Sequence, residues 1–183
     1  MKKYMYIVSV ALLLGSCGLL IRSKPQTLDP KTGYFGSSLY GRVTVITDIS
    51  VDATILKSLL VVPNDEYYAE MGKNLNYFEE VMTYHQLEEK MLELGDTLDL
   101  RFQMPDKLKL NRAAKLYKPF VILEKRSLYR DAHYVWVTGL SVYDPLRGEI
   151  IFENRIPSGD LAYIKGFYFP LFNSFLEYLR KQK

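Results

Sequence analysis

The two histidines are the first residues to consider for chemistry, because imidazole binds metals and transfers protons near neutral pH. His85 precedes Glu88 and Glu89 by three and four residues, a spacing that aligns them on one face of a helix. One histidine and a carboxylate do not complete a metal site, which needs three or four protein ligands. His133 is the only imidazole left to supply another. We therefore expect both histidines to be solvated or hydrogen-bonded, and we expect no metal site.

The carboxylates and serines offer no better arrangement for catalysis. The pairs Glu79-Glu80 and Glu88-Glu89 are adjacent in sequence, so their side chains diverge and cannot act on one bond as acid and base. No serine lies in a Gly-x-Ser-x-Gly elbow, and the glycines between residues 33 and 41 lack the strand-to-helix context of a phosphate loop. We expect no catalytic residues and no cofactor, with a cell-wall hydrolase as the weakest alternative.

The amino terminus indicates the compartment. Lys2 and Lys3 precede an apolar stretch from Tyr4 to Leu14, which is the order of a secretory signal peptide. The next residues, Leu14-Gly15-Ser16-Cys17, resemble the lipobox of bacterial lipoproteins. In that family a peptidase cleaves before a cysteine that carries lipid. The resemblance implies that Cys17 is the lipidated first residue of the mature chain.

Two other interpretations of this segment stay open. Tyr4 to Ile21 is an apolar stretch of 18 residues, near the shortest length of a membrane span. Cys17 is alternatively a buried thiol of an exported protein. The signal-peptide and membrane-span interpretations both place Lys2 and Lys3 on the cytoplasmic side and the domain outside the cytoplasm. We expect palmitate on Cys17, a periplasm-facing domain, and the outer membrane rather than the inner.

The chain divides into three segments on this interpretation: a signal peptide over residues 1–16, the lipidated cysteine and a tether over 17–38, and a single domain over 39–183. The tether mixes Ser, Lys, Pro, Gly and Thr without periodicity, and Tyr34 and Phe35 are its candidates for docking on the domain. Removal of Lys2 and Lys3 leaves 22 basic and 21 acidic side chains, so no nucleic-acid partner is expected.

Strands rich in β-branched and aromatic residues dominate the second half of the chain. They are predicted at 119–123, 134–143 and 148–154, after earlier strands at 40–47, 57–63 and 81–82. The residues from Asp144 to Gly148 form a tight hairpin turn, because Pro145 presets φ and Gly148 accepts a left-handed conformation. The charged segment 124–131 is predicted to be a hairpin tip, with a contact surface as the alternative.

Periodicity and capping residues predict four helices. Their markers are Asn64 or Asp65 as the first cap, the capping box of Thr83 and Gln86 with Gly95 at the helix end, the stripe Leu110, Ala113, Ala114 and Tyr117, and Pro170 at the start of the last. The fold class expected is α+β. It comprises a mixed sheet of about four to five strands, helices covering one face and a C-terminal helix.

This order of elements is similar to that of small periplasmic αβ domains. It includes the run AAKLYKPFVIL at 113–123 and the EIIFE that follows the hairpin turn at 149–153. It resembles the curli secretion lipoprotein, the amino-terminal domain of the Tol system propeller protein and the lipoprotein activators of peptidoglycan synthases. The resemblance covers residues 57–156. The chain departs from the curli secretion lipoprotein in having no spare strands for a membrane pore, and from the Tol propeller protein in ending soon after the domain. The resemblance therefore does not extend to those two activities.

The resemblance implies an accessory role by protein contact. We therefore predict a lipid-anchored envelope accessory protein in assembly, secretion or cell-wall synthesis. Its expected partners are the membrane, through the anchor, and another envelope protein. An immunity or inhibitor lipoprotein that blocks an incoming toxin is the alternative from another class.

An aromatic cluster near the carboxyl terminus is the candidate for the partner-binding surface. Tyr163, Phe167, Tyr168 and Phe169 lie in a short stretch that one helical stripe cannot bury. They either stay exposed as an apolar patch or close the open end of the sheet. A related expectation is that Trp136 faces the core from within its strand.

Overall fold

A sheet of six strands organises the part of the chain that the computed structural model describes, which is residues 25–36, 42–96, 106–130, 135–157 and 168–182. For 127–130 and 135–136 only the backbone is described. The strands are β1 (Thr44–Asp48), β2 (Leu59–Val62), β3 (Glu80–Thr83), β4 (Val121–Arg130), β5 (Val135–Asp144) and β6 (Glu149–Pro157). Their order across the sheet is β1-β6-β5-β4-β2-β3.

The sheet is mixed, as predicted. β2 pairs in parallel with β3 and β4, whereas β4, β5, β6 and β1 pair antiparallel in succession. All four residues of β2 are buried, which is the pattern of a strand covered on both faces. The hairpin turn between β5 and β6 forms as expected: Asp144 Oδ1 accepts from the backbone N–H of Leu146 at 2.8 Å, and Gly148 has a φ of 74°.

Five helices lie among these residues: α1 (Ala53–Ser58), α2 (Glu66–Asn74), α3 (Tyr84–Glu93), α4 (Lys107–Leu116) and α5 (Phe169–Lys181). The predicted caps are confirmed, because Asp65 accepts from two backbone N–H groups at the start of α2 and Thr83 forms a capping box with Gln86 at α3. Gly95, just after α3, has a φ of 76°.

The helices lie against both faces of the sheet rather than one. We call the first face the closed face: α1, α2 and α5 pack there on Leu60, Val62 and the apolar residues of β4 to β6. We call the second the half-open face: α3 and α4 pack there on Leu59, Val61 and the start of β4. The expectation of one covered face was wrong in this respect, because alternate residues of the all-apolar β2 each need a covering layer.

Aromatic rings fill the closed face. Phe172 is fully buried between Phe35 and Tyr68, with ring centroids 6.1 Å and 5.7 Å away. Asn154 is buried there as well. Its amide nitrogen donates to the Leu171 carbonyl of α5 at 2.9 Å, and its oxygen accepts from the Leu140 N–H at 3.1 Å. This side chain ties α5 to the sheet through a satisfied polar contact.

The folded unit begins before the predicted boundary at residue 39. Phe35 is buried, and its backbone N–H donates to Asn173 Oδ1 at 2.8 Å while its carbonyl accepts from Asn173 Nδ2. Asn74 also donates to the Gln26 carbonyl at 3.0 Å. Residues 25–36 therefore belong to the domain, and the tether predicted for 17–38 does not extend across them. The expected docking of Phe35 is confirmed.

Two local predictions need correction. Lys57 and Ser58 end α1 instead of starting a strand, because the Asp52 side chain caps a short helix there. The charged segment after residue 123 is strand rather than hairpin tip: β4 continues to Arg130, which pairs with Val135. Cross-strand hydrogen bonding with the long β5 extends β4 through charged residues whose local sequence indicates a turn.

The Trp136 backbone belongs to β5, but its side chain lies outside what the structure describes, so its orientation stays a prediction. Among the described residues, no helix is long and apolar enough to cross a membrane.

Candidate interaction surfaces

The predicted site residues fall into two groups. Cys17, Tyr163 and Phe167 lie outside the described residues, as does His133, for which no site role is predicted. Tyr168 and Phe169 are described, and both are buried on the closed face. Tyr168 packs against Tyr68 with ring centroids 5.2 Å apart, and Phe169 stacks on Phe35 at 6.1 Å. These two side chains close the sheet and form no exposed patch.

The histidine examined for metal binding lies on the surface. His85 and Glu89 approach to 3.4 Å on the outer side of α3, with both side chains more than half exposed. Within the described residues, no three His, Cys, Asp or Glu side chains lie close enough to hold a metal ion. An exposed pair of this kind contributes little to stability.

Two rows of opposite charge cross the half-open face where no described helix covers it. The pairing register aligns Glu124, Ser141 and Glu153 in one row across β4, β5 and β6. The neighbouring row, two residues along each strand, aligns Arg126, Gly139 and Arg155. Because side chains alternate between faces, all six positions point to the same side, with the rows about 7 Å apart. The surface is therefore polar, with a row of negative charges beside a row of positive charges.

The middle strand contributes only small side chains to this surface. Ser141 and Gly139 are small and buried, whereas the charged residues on both sides are long and half-exposed. Arg126 Nε donates to Ser141 Oγ at 2.9 Å, and its other end lies 3.5 Å from Glu124 Oε2. A Cβ on Gly139 would overlap the backbone oxygen of Asn154, so the glycine is required by the strand spacing. We call this feature the charged groove.

The charged groove shares Glu124 and Arg126 with a cleft of about 560 Å³. The cleft lies between the first turns of α4, which contribute Lys107 and Leu110, and the strands β4, β5 and β6. Its strand side includes Glu124, Arg126, Tyr143, Glu149 and Ile150. Asn111 holds α4 in place, since its side chain donates to the Pro145 carbonyl of the hairpin turn at 2.8 Å. Charged groups of both signs converge on the cleft beside a smaller set of apolar side chains, so it suits a polar, charged ligand group.

Two tyrosines near the cleft have raised pKa values. Lys107 Nζ lies 5.4 Å from the ring centroid of Tyr143, a cation-π distance. Burial raises the pKa of Tyr143, as does the nearby Asp144 charge. Burial and then the Glu124 charge raise the pKa of Tyr84, whose buried hydroxyl has no hydrogen-bond partner in the described part of the chain. Both rings therefore stay neutral at physiological pH.

Sequence reasoning missed the charged groove, although a signal was present. Glu124-Lys125-Arg126 and Glu153-Asn154-Arg155 share a Glu-x-Arg pattern with the two-residue period of a strand. Placing them side by side requires β5 between them, and the pairing register supplies that information. The local sequence predicts a hairpin tip at residues 124–131, with a contact surface as the alternative, and the Glu-x-Arg pattern by itself does not connect this segment with β6.

Among known proteins, similarity to this chain was found in solved structures and not in family models or curated sequences. No protein-family model matches the sequence. No curated protein matches it significantly. Among solved structures, the chain is similar to the LpoB C-terminal domain from Escherichia coli, with 17% identity over 58% of this chain and 85% of that one and a TM-score of 0.39. It is also similar to the PelC dodecamer from Paraburkholderia phytofirmans, with 13% identity over 78% of this chain and 99% of that one and a TM-score of 0.37. At TM-scores below 0.5, these similarities assign neither a family nor a function.

Proposed function

We propose that this protein is a lipid-anchored accessory protein of the bacterial cell envelope that binds another envelope protein through the charged groove. Cys17 carries the anchor, and the domain faces the periplasm from the outer membrane. The action is by contact in assembly, secretion or cell-wall synthesis.

The charged groove is the observation that carries the proposal. Its two rows present carboxylates and guanidinium groups at strand spacing, and the arginine fork recognises carboxylates with defined geometry. A protein segment with alternating charges of the complementary order would pair with both rows. Groups on the part of the sheet that no described helix covers also lie within reach of a partner, whereas the described aromatic residues of the closed face are mostly buried.

The anchor has a direct test. Cells expressing the full chain are grown with radiolabelled palmitate, and we expect label on the wild-type protein and none on Cys17→Ala. The sequence pattern Leu14 to Cys17 motivates this expectation. Label that persists in the Cys17→Ala chain would contradict the anchor assignment.

The groove has a separate test. Envelope proteins are crosslinked in cells and recovered with the tagged full chain, and the crosslinked species are compared between variants. We expect Arg126→Glu with Arg155→Glu to lose the main species, because like charges then meet across the interface. Lys57→Glu with Lys73→Glu changes the same net charge on α1 and α2 and should retain it. Equal recovery from both variants would show that the groove is not the contact.

A further inference from the structure

The outer surface of α4 has an unusual combination of charge and apolar exposure. The helix reads KLKLNRAAKL, with basic residues Lys107, Lys109, Arg112 and Lys115 and no acidic residue. Its buried side is Leu110, Ala113 and Ala114. At 100° per residue, the opposite arc carries Leu108, Lys109, Arg112, Lys115 and Leu116, which we call the α4 outer face.

The leucines of the α4 outer face are exposed instead of packed. Leu108 is 79% exposed and Leu116 is 52% exposed. Leu92 and Leu94, at the end of α3, are also more than half exposed. The ion pair between Asp96 and Arg112, at 2.9 Å, holds this end of α3 near the middle of α4. This end of α3 and the α4 outer face therefore both carry exposed leucines, which are the apolar side chains available for a contact.

Two exposed lysines lie between these leucines on the α4 outer face. Lys109 and Lys115 are exposed and make no ion pair within the described residues. Lysine side chains have long apolar stems, so they lie along an apolar surface while the ammonium groups reach polar groups at its edge. Leucines flanked by such lysines match a bilayer interface, where acyl chains lie beside phosphate groups.

We propose that the α4 outer face docks on the surface of a bilayer that contains anionic phospholipids. The exposed leucines enter the boundary between headgroups and acyl chains, and Lys109 and Lys115 contact phosphates. Each basic side chain near such a surface strengthens binding about fivefold. An acidic protein would also pair with the lysines, but leucines exposed on the same helix face as the lysines favour lipid, in which acyl chains lie directly beside phosphate groups.

This inference rests on the proposed function in one respect: the Cys17 anchor supplies the proximity that makes a weak helix contact effective. The lipid on Cys17 holds the chain at the membrane, and the α4 outer face gives that attachment an orientation. It places the domain on the bilayer surface and leaves the closed-face helices α1 and α2 away from the bilayer.

Site-specific fluorescence of the full chain in vesicles tests the proposal. Leu116→Cys is labelled with nitrobenzoxadiazole, and the protein is reconstituted into phosphatidylcholine vesicles or into equimolar phosphatidylcholine and phosphatidylglycerol. Label taken up by the chain without an introduced cysteine is subtracted, which accounts for any free Cys17. We expect about a twofold or larger rise in emission with phosphatidylglycerol, reversed by high salt. Glu70→Cys on α2 should show no rise.

Charge variants complete the test. Lys109→Glu with Lys115→Glu should abolish the rise, and the matched pair Lys57→Glu with Lys73→Glu should retain it. Equal emission on both kinds of vesicle, or a rise that survives Lys109→Glu with Lys115→Glu, would overturn the proposal. Loss of a crosslinked protein in that variant, without any lipid effect, would overturn it in favour of an acidic partner. Flotation with phosphatidylcholine vesicles reports the anchor alone, so failure of the anchor is distinguishable.

Discussion

The two faces of the sheet differ in what covers them. The closed face is covered by α1, α2, α5 and residues 25–36. The large aromatic side chains buried there are Phe35, Phe152, Phe172, Phe175 and Tyr178. On the half-open face, α3 and α4 cover β2, β3 and the start of β4, and the described strands beyond carry the charged groove. Most of the buried apolar side chains therefore lie on the closed face, and the two charged rows of the groove lie on the half-open face.

This difference separates stability from recognition. Burying a large apolar side chain stabilises a fold by about 1.5–3 kcal/mol, whereas an exposed ion pair contributes about 0–1 kcal/mol. Truncating the buried side chains of the closed face should therefore destabilise the protein. Changes to the charged side chains of the groove should leave its stability nearly unchanged while altering what it binds.

Phe172→Ala should give the largest effect. The side chain is fully buried against Phe35 and Tyr68, so its removal leaves a cavity and should lower the free energy of unfolding by about 3–5 kcal/mol. Urea unfolding followed by circular dichroism measures the change. Leu108→Ala, at an exposed site, is the control and should change stability by less than about 0.5 kcal/mol. Similar losses from both variants would remove the distinction between the faces.

Gly139→Ala should destabilise by about 1–3 kcal/mol, because the added Cβ meets the Asn154 backbone and forces β5 and β6 apart. Thermal unfolding measures it, with Ser141→Ala as the control at the neighbouring groove position. A stable Gly139→Ala protein with an unchanged melting temperature would show that the strands do not approach this closely.

Alkaline pH should unfold the protein through its buried tyrosines. Burial is the main cause that raises the pKa of Tyr67, Tyr68, Tyr84 and Tyr178 above the ordinary value of 10.0. In the unfolded chain these hydroxyls ionise near pH 10, so the unfolded state binds fewer protons above that pH. Stability is therefore full below about pH 10 and falls as pH rises, by about 1.4 kcal/mol per unit for each tyrosine.

Tyrosinate absorbance measured alongside circular dichroism checks this prediction. The buried tyrosines should ionise only as the fold is lost. If all the tyrosines ionised near pH 10 in a protein with a native spectrum, the buried state of these rings would be contradicted.

Arg126→Gln should give the smallest change in stability. Its guanidinium bonds Ser141 and contacts Glu124 at a half-exposed site, so the loss should be below about 1 kcal/mol. Urea unfolding under the conditions used for Phe172→Ala measures it. A loss as large as that of Phe172→Ala would assign the charged groove a structural role instead.

Local chemistry explains which parts of the fold the sequence predicts. Asp65, the box of Thr83 and Gln86, Gly95 and the Asp144 turn each depend on contacts within a few residues, and all lie where expected. The last helix begins next to Pro170 as predicted, and the apolar side chains that follow are buried: Leu171, Phe172, Phe175, Leu176 and Leu179. The α+β class and the mixed sheet follow from the order of such elements.

Long-range pairing explains what the sequence does not predict. The extension of β4 through charged residues depends on β5, and the alignment of Glu124 with Glu153 depends on both strands. The docking of Phe35 depends on Asn173, which is 138 residues away. The aromatic residues near the carboxyl terminus fit either an exposed patch or a sheet closure by sequence, and the long-range packing of the fold buries Tyr168 and Phe169.

Photo-crosslinking from single positions in living cells tests the central claim most directly, which is that the half-open face binds an envelope protein. A photoreactive amino acid replaces Glu153 in the charged groove or, as a matched control, the exposed Glu70 on α2 above the closed face. We predict one dominant crosslinked envelope protein from position 153, lost when Arg126→Glu is added, and none from position 70. The same crosslinks from both positions, or a crosslink at 153 unaffected by Arg126→Glu, would contradict the account.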